Sequence, residues 1–280
     1  MHENVTRTIS GLLYILILVS ATLYSEYSFI LLFGLFMIIT VSEFSKLIHL
    51  KQNLPILLAL ISFILFFCSP KNNFNTDILL CLAALFVSVN LIADLFVENR
   101  RPKNDKMSKY VSLFGYIIIP SILLMKTPFI VMDFYQKSGV DFNPKIIIGI
   151  FILIWTNDTF AYITGKSFGK HKLFERISPK KTIEGFVGGL VFTMIGSYIL
   201  SYFFTFLTPV IWICTGLIVG LFGTIGDLIE SRFKRVAGVK DSGKIMPGHG
   251  GILDRLDSVI FAIPFLYLFY QILNYVHTIS

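Results

Sequence analysis

Between Ser231 and Asp257 the chain reads SRFKRVAGVKDSGKIMPGHGGILDRLD, which gathers Asp241, His249, Asp254 and Asp257 with six cations and five glycines. Carboxylates for an ion, lysines and arginines for phosphate oxygens and glycines that expose backbone N–H groups are what a metal-bound polyphosphate requires. Just upstream, Asp227, Glu230 and Ser231 share one helix face by their i, i+3 and i+4 spacing, and Lys234 extends that polar stripe. The helix is expected to end near Gly238. Glycines 248, 250 and 251 then allow turns that other residues resist. Asp254 and Asp257, three apart, face the same way where the last apolar run begins. Carboxylates from two helices with cations around them suit Mg2+, which takes one or two carboxylates and fills its shell with phosphate oxygens and water. A salt-bridged loop would explain the charges, but neither the glycines around His249 nor acids placed beside hydrocarbon.

A second polar block, NDTFAYITGKSFGKHKLFERISPKKTIEGFVGG, runs from Asn157 to Gly189. Its loop sets Lys166, Lys170, His171, Lys172, Arg176, Lys180 and Lys181 beside Gly165 and Gly169. Ser178 with Lys181 and Thr182 offers a hydroxyl cap and free N–H groups at the next helix start, a usual phosphate position. Gly185, Gly188 and Gly189 let a helix or a ligand come close. A positive loop with a glycine packing seam is the plainer account, and from the loop alone both stand.

These groups must be positioned by an unusually apolar chain. Of 280 residues, 55% are hydrophobic and only 15% charged, outside the range of ordinary soluble domains. A span needs about 20 apolar residues to cross roughly 30 Å of hydrocarbon. Nine runs qualify, near residues 9–24, 28–48, 54–69, 76–97, 110–130, 146–165, 183–206, 209–229 and 257–276. The first and third are short, and Pro120, Lys126 and Pro128 interrupt the fifth. The expected fold is therefore all-α, a polytopic transmembrane protein of about nine spans. The first run, with Arg7 ahead of it and Val19-Ser20-Ala21 near its end, is expected to remain as a signal anchor.

With the N-terminus inside, 20 of the 24 Lys and Arg residues fall on the inner side, leaving Lys71, Lys126, Lys137 and Lys145 outside. That asymmetry predicts an N-in, C-out topology. Cys68, Cys81 and Cys214 lie in separate apolar runs without CxxC spacing and read as packing residues. Residues 1–130 are expected to form N-terminal transmembrane helices, and 131–280 the C-terminal catalytic region of the same membrane unit. Five acids sit in or at the ends of spans: Glu43, Asp94, Asp158, Asp227 and Glu230. Glu43, and Asp94 with Glu98 one turn on, read as interfacial acids in contact with water. Asp158, inside its helix among Trp155, Asn157 and Tyr162, reads as functional.

Ser231, Lys234, Arg235, Lys240, Asp241, Gly243, Pro247, His249, Gly250, Gly251, Asp254, Arg255 and Asp257 together resemble, with unbroken spacing, the signature of phosphatidate cytidylyltransferases, also called CDP-diacylglycerol synthases. Asn157-Asp158, Ala161-Tyr162, Ser178 to Thr182 and Glu184-Gly185 are similar to that family too. The resemblance covers roughly residues 150–260 firmly; the earlier spans match only in kind.

The resemblance implies transfer of CMP from CTP to phosphatidic acid, giving CDP-diacylglycerol and pyrophosphate for phospholipid synthesis. It implies catalytic roles for Asp227, Lys240, Asp241, His249, Asp254 and Arg255. Substrate contacts are expected from Asp158, Lys180, Lys181, Ser231, Lys234, Arg235, Gly250 and Gly251. For Mg2+, with Mn2+ as a substitute, Asp227 and Asp254 are the leading ligands and Asp241 and Asp257 the next; a second cation of unspecified identity belongs to the same expectation. The implied setting is the inner membrane, in contact with the lipid bilayer, with the site facing the cytoplasm, a homodimeric assembly and no nucleic-acid partner. Two other readings remain: a CTP-dependent polyprenol or phytol kinase, which would release CDP and need a base for its alcohol, and an anion transporter, for which no repeat is evident.

Overall fold

A computed structural model describes residues 2–69, 73–96, 105–130 and 142–279. Lys71, Glu98, Arg100, Arg101, Lys103 and Lys137, which enter the charge-based topology or the interfacial reading above, lie outside the described residues.

The helices are α1 (His2–Tyr24), α2 (Glu26–Leu47), α3 (Asn53–Cys68), α4 (Phe74–Phe96), α5 (Lys106–Ser112), α6 (Ile119–Ile130), α7 (Pro144–Phe168), α8 (Ile183–Phe203), α9 (Pro209–Val236) and α10 (Leu253–Ile279). A π turn over Leu113–Ile118 joins α5 to α6 without a break. Side-chain caps set several starts: Ser25 and Ser28 form a reciprocal capping box on α2, and Thr208 followed by Pro209 opens α9. The chain is an integral membrane protein with a helical core. Eight helical segments among the described residues are long and apolar enough to span a bilayer. The third expected span is the one that falls short: α3 has 16 residues, or roughly 24 Å at the helical rise, against roughly 30 Å of hydrocarbon.

The interruption expected in the fifth span is absorbed within one apolar segment, Lys106–Ile130. Pro120 has no N–H, and its ring would collide with the carbonyl four residues back, that of Tyr116. The π turn widens the helix there, and the Ile119 N–H bonds to the Phe114 carbonyl, five residues back. Lys126 is buried because it has a partner, Asp77 of α4, at 2.8 Å. Tyr267 of α10 donates its hydroxyl to the same carboxylate at 2.8 Å, so three helices are tied at one buried charge pair.

One departure from a purely helical expectation is a small antiparallel hairpin, β1 (Lys172–Phe174) with β2 (Ser178–Thr182), in the lysine-rich loop. Ser178 therefore lies in a strand, and Thr182 alone caps α8, accepting the Gly185 N–H at 3.1 Å. The hairpin carries Lys180 and Lys181 back over the end of α7. The glycine seam packs helices: a methyl on Gly185 would sit 2.8 Å from the Ala161 carbonyl, and one on Gly189 2.9 Å from that of Asn157.

Candidate active site

The site forms where α7, the hairpin, α9 and the head of α10 meet. α9 continues to Val236, two turns past its expected apolar limit, because its polar stripe stays helical and faces inward. The contact of α9 with α10 depends on Gly226: a methyl there would lie 2.6 Å from Cβ of Phe261 and 2.8 Å from the Asp257 carbonyl. That close backbone approach lets Asp227 and Asp257 converge. Carboxylate oxygens of Asp227, Glu230 and Asp257 all lie within 4.8 Å of one another.

Two lysines answer these charges. Lys181, from β2, reaches Asp227 at 2.5 Å, and Lys234 pairs with Glu230 one turn earlier on α9. Ser231 donates its hydroxyl to Asp227 at 3.2 Å. Asp257 is buried, and the N–H of Ser258 donates to its carboxylate at 2.6 Å. Glu230 is fully buried; Lys234 holds its Oε2, and its Oε1 has no hydrogen-bond partner among the described residues. Because Lys234 is shared with Asp254, four carboxylates face two lysines, an excess of negative charge in surroundings that tolerate it poorly. This oxygen-only donor set fits Mg2+ or Mn2+.

Beside Asp227 opens a cavity of about 330 Å3, lined by Asn157, Asp158, Tyr162, Lys166, Lys180 and Lys181, with Asp227 at its inner wall. Asp158 and the two lysines expected to meet substrate thus share one space.

Asp254 stands apart from the three-carboxylate group. Its Oδ1 accepts from Lys234 at 2.7 Å, while Oδ2 accepts the backbone N–H groups of Ser242 at 2.9 Å and Gly251 at 2.7 Å, and the Ser242 hydroxyl at 2.8 Å. It folds the loop that precedes α10, and Lys234 links it to Glu230. Asp241 is exposed next to Gly250, and Lys240 and Arg255 are also exposed. Arg235 donates to the carbonyls of Ile177 at 3.4 Å and Val239 at 3.2 Å, bracing the hairpin against the end of α9. His249 is held by α1: its Nδ1 lies 2.9 Å from the Ser10 hydroxyl, which also bonds to the Pro247 carbonyl at 2.9 Å. Gly250 has φ +84°, and Gly251 is buried against Ser242 and Glu43.

Glu43 corrects one expectation. It is 2% exposed rather than wet at an interface, and it accepts the N–H groups of Ile252 at 3.2 Å and Leu253 at 2.8 Å. Those groups are orphan donors of the first turn of α10, so a carboxylate from α2 supplies the cap. Asp94 faces Arg232 at 3.6 Å. Sequence reasoning also left Glu230 out of the metal set, although its i+3 spacing from Asp227 was a usable signal. Nothing local in the sequence pointed to the pairing of Ser10 with His249 or of Glu43 with Ser242, each across more than 190 residues.

A family model described as the cytidylyltransferase family matches residues 5–273. The phosphatidate cytidylyltransferase of Staphylococcus saprophyticus is 36% identical over 252 residues, covering 81% of this chain and 96% of that protein. The protein of the same name from Staphylococcus aureus (strain COL) is 39% identical over 214 residues, 69% of this chain and 81% of its own. That from Staphylococcus epidermidis is 46% identical over 137 residues, 48% of this chain and 52% of its own.

Proposed function

We propose that this chain, which belongs to the cytidylyltransferase family, transfers CMP from CTP to phosphatidic acid, forming CDP-diacylglycerol and pyrophosphate. The observation that carries this reading is Asp227, which pairs with Lys181 at the wall of the cavity and joins Glu230 and Asp257 behind it. Anion-binding and cation-binding groups therefore meet at one carboxylate.

In the reaction, a phosphate oxygen of phosphatidic acid forms a bond to the α-phosphorus of CTP. The bond from that phosphorus to the bridging oxygen breaks, and its electron pair leaves on pyrophosphate. Both reactants are anions, so the protein's task is mainly to neutralise and align them. Lys180 and Lys181 at the cavity supply positive charge, and Asp158 lines the same space. No strong base is needed, because a phosphate monoester with a second pKa of about 6 is already an anion near neutral pH.

Asp227, Glu230 and Asp257 would hold the divalent cation. When bound, such an ion would supply positive charge that offsets the charge accumulating on the leaving pyrophosphate. Asp254 would reach it only by exchanging Lys234, and its present contacts suit it to fixing the glycine loop. His249 would act on the leaving group from its Ser10 anchor, with Lys240, Asp241 and Arg255 closing over the phosphates from the solvent side. The charge asymmetry of the sequence supports an N-in, C-out topology with the cavity open to the cytoplasm of the inner membrane. A homodimer follows from the family resemblance.

Purified protein in detergent, given phosphatidic acid, Mg2+ and each nucleoside triphosphate in turn, tests the reading. Pyrophosphate and CDP-diacylglycerol are expected with CTP. Release of CDP with phosphorylation of a polyprenol would instead establish the kinase.

A further inference from the structure

Tyr116 sits on the π turn with a side chain that is 1% exposed, and its hydroxyl has no hydrogen-bond partner among the described residues. Buried hydroxyls without partners are uncommon, since each gives up its hydration with nothing in exchange. Three aromatic rings fix its orientation: Phe44 at 5.4 Å, Phe233 at 5.9 Å and Phe261 at 6.2 Å between centroids. Phe233 follows Glu230 by three residues on α9 and Phe261 follows Asp257 by four on α10, so the rings that hold Tyr116 stand on the helix faces that carry two of the three converging carboxylates. Glu230, for its part, is fully buried; Lys234 holds its Oε2, while its Oε1 has no hydrogen-bond partner among the described residues. A buried donor and a buried acceptor thus lie unused on adjoining helix faces with no direct bond between them, as expected when a hydrated cation belongs in the gap.

We propose that Tyr116 is a positioning residue of the cation site, its hydroxyl donating to an oxygen in the shell of a divalent ion held by Asp227, Glu230 and Asp257. This rests on the cation site assigned above and extends it to an element of the first 130 residues. The π turn is part of the device. Pro120 displaces the helical ladder at Tyr116, and π turns often mark places where a side chain has been re-aimed for function.

The test is Mn2+ binding to the full-length protein in detergent, read by electron paramagnetic resonance, together with the metal-free melting temperature. Tyr116→Phe is expected to weaken Mn2+ binding about tenfold or more, the usual effect of losing an outer-shell partner. The Mg2+ concentration for half-maximal activity should rise in parallel. Its metal-free melting temperature should stay equal or rise, because the deleted hydroxyl has no protein partner. Wild-type Mn2+ affinity in that variant, with or without a lower melting temperature, would overturn the proposal. Asp227→Asn separates the two levels of the argument: if it binds Mn2+ as well as the wild type, the cation site itself is absent and Tyr116 has no part in one. Should Tyr116→Phe fail to accumulate, Glu230→Gln decides, with weakened Mn2+ binding supporting the shared site and unchanged binding refuting it.

Discussion

Glu43 accepts the backbone N–H of Leu253 at 2.8 Å, so a carboxylate on the second helix caps the helix that carries Asp254 and Asp257. The bond spans 210 positions of sequence, and it fixes the head of α10 against the N-terminal helices. Catalytic geometry in the C-terminal half therefore depends on an acid outside it.

Glu43→Ala leaves the two buried N–H groups of Ile252 and Leu253 without their acceptor. We expect destabilisation of about 1–3 kcal/mol and loss of most CTP-dependent activity. Glu43→Gln, which keeps an acceptor oxygen, should fall between the two in thermal unfolding. Unchanged melting of Glu43→Ala would contradict the capping role.

Lys234 lies between Glu230 and Asp254, pairing with both. Replacing it with Met strands two carboxylates in a buried place, and the expected cost is about 3–5 kcal/mol. Adding Glu230→Gln should recover part of that stability, because one stranded charge is removed. A double-mutant cycle in detergent melts reads the coupling; additive effects would show that the pair does not interact.

Gly250 has φ +84°, and a methyl there would also lie 2.5 Å from Oδ2 of Asp254. Gly250→Ala should cost about 1–2 kcal/mol from backbone strain alone. The methyl would press on the carboxylate that holds Ser242 and Gly251, so turnover should drop further than stability. Full activity with unchanged melting would mean that the loop relaxes freely.

Lys181 and Asp227 are paired across the cavity wall, yet their substitutions should separate kinetically. Asp227→Asn should lower pyrophosphate release by about 100-fold or more with the fold intact. Lys181→Gln should lower activity less and raise the KM for an anionic substrate, since it supplies charge rather than an ion ligand. Equal effects of both on kcat alone would place Lys181 with the reacting groups.

Chelation provides an independent check on the cation. EDTA should abolish turnover, and Mg2+ or Mn2+ should restore it, while Ca2+, with its larger and looser oxygen shell, should restore it poorly. Activity that survives exhaustive chelation would leave the three carboxylates without an ion to hold.

Much of this molecule is legible in its sequence because membrane helices announce themselves by composition. Hydrocarbon admits backbone only as helix or closed barrel, so apolar run length alone predicts most of the spans. The polar block from Ser231 to Asp257 stands out against that background, and the i, i+3 relation of Asp227 and Glu230 places both on one face. Even the loop glycines carry their meaning locally, since φ at Gly248 and Gly250 is positive where the sequence calls for tight turns.

What the sequence by itself determined was the helical membrane architecture and the set of charged residues available for phosphoryl chemistry. Only the tertiary structure decided which of them meet: Asp227 with Glu230 and Asp257, Asp254 with Lys234 and the loop, His249 with Ser10, and Glu43 with the head of α10. The physical reason is that periodicity fixes the face a residue occupies on its own helix but not the neighbour that face will find. That choice depended on close approach at Gly226, on the π turn before Pro120, and on the need of each buried charge for a partner.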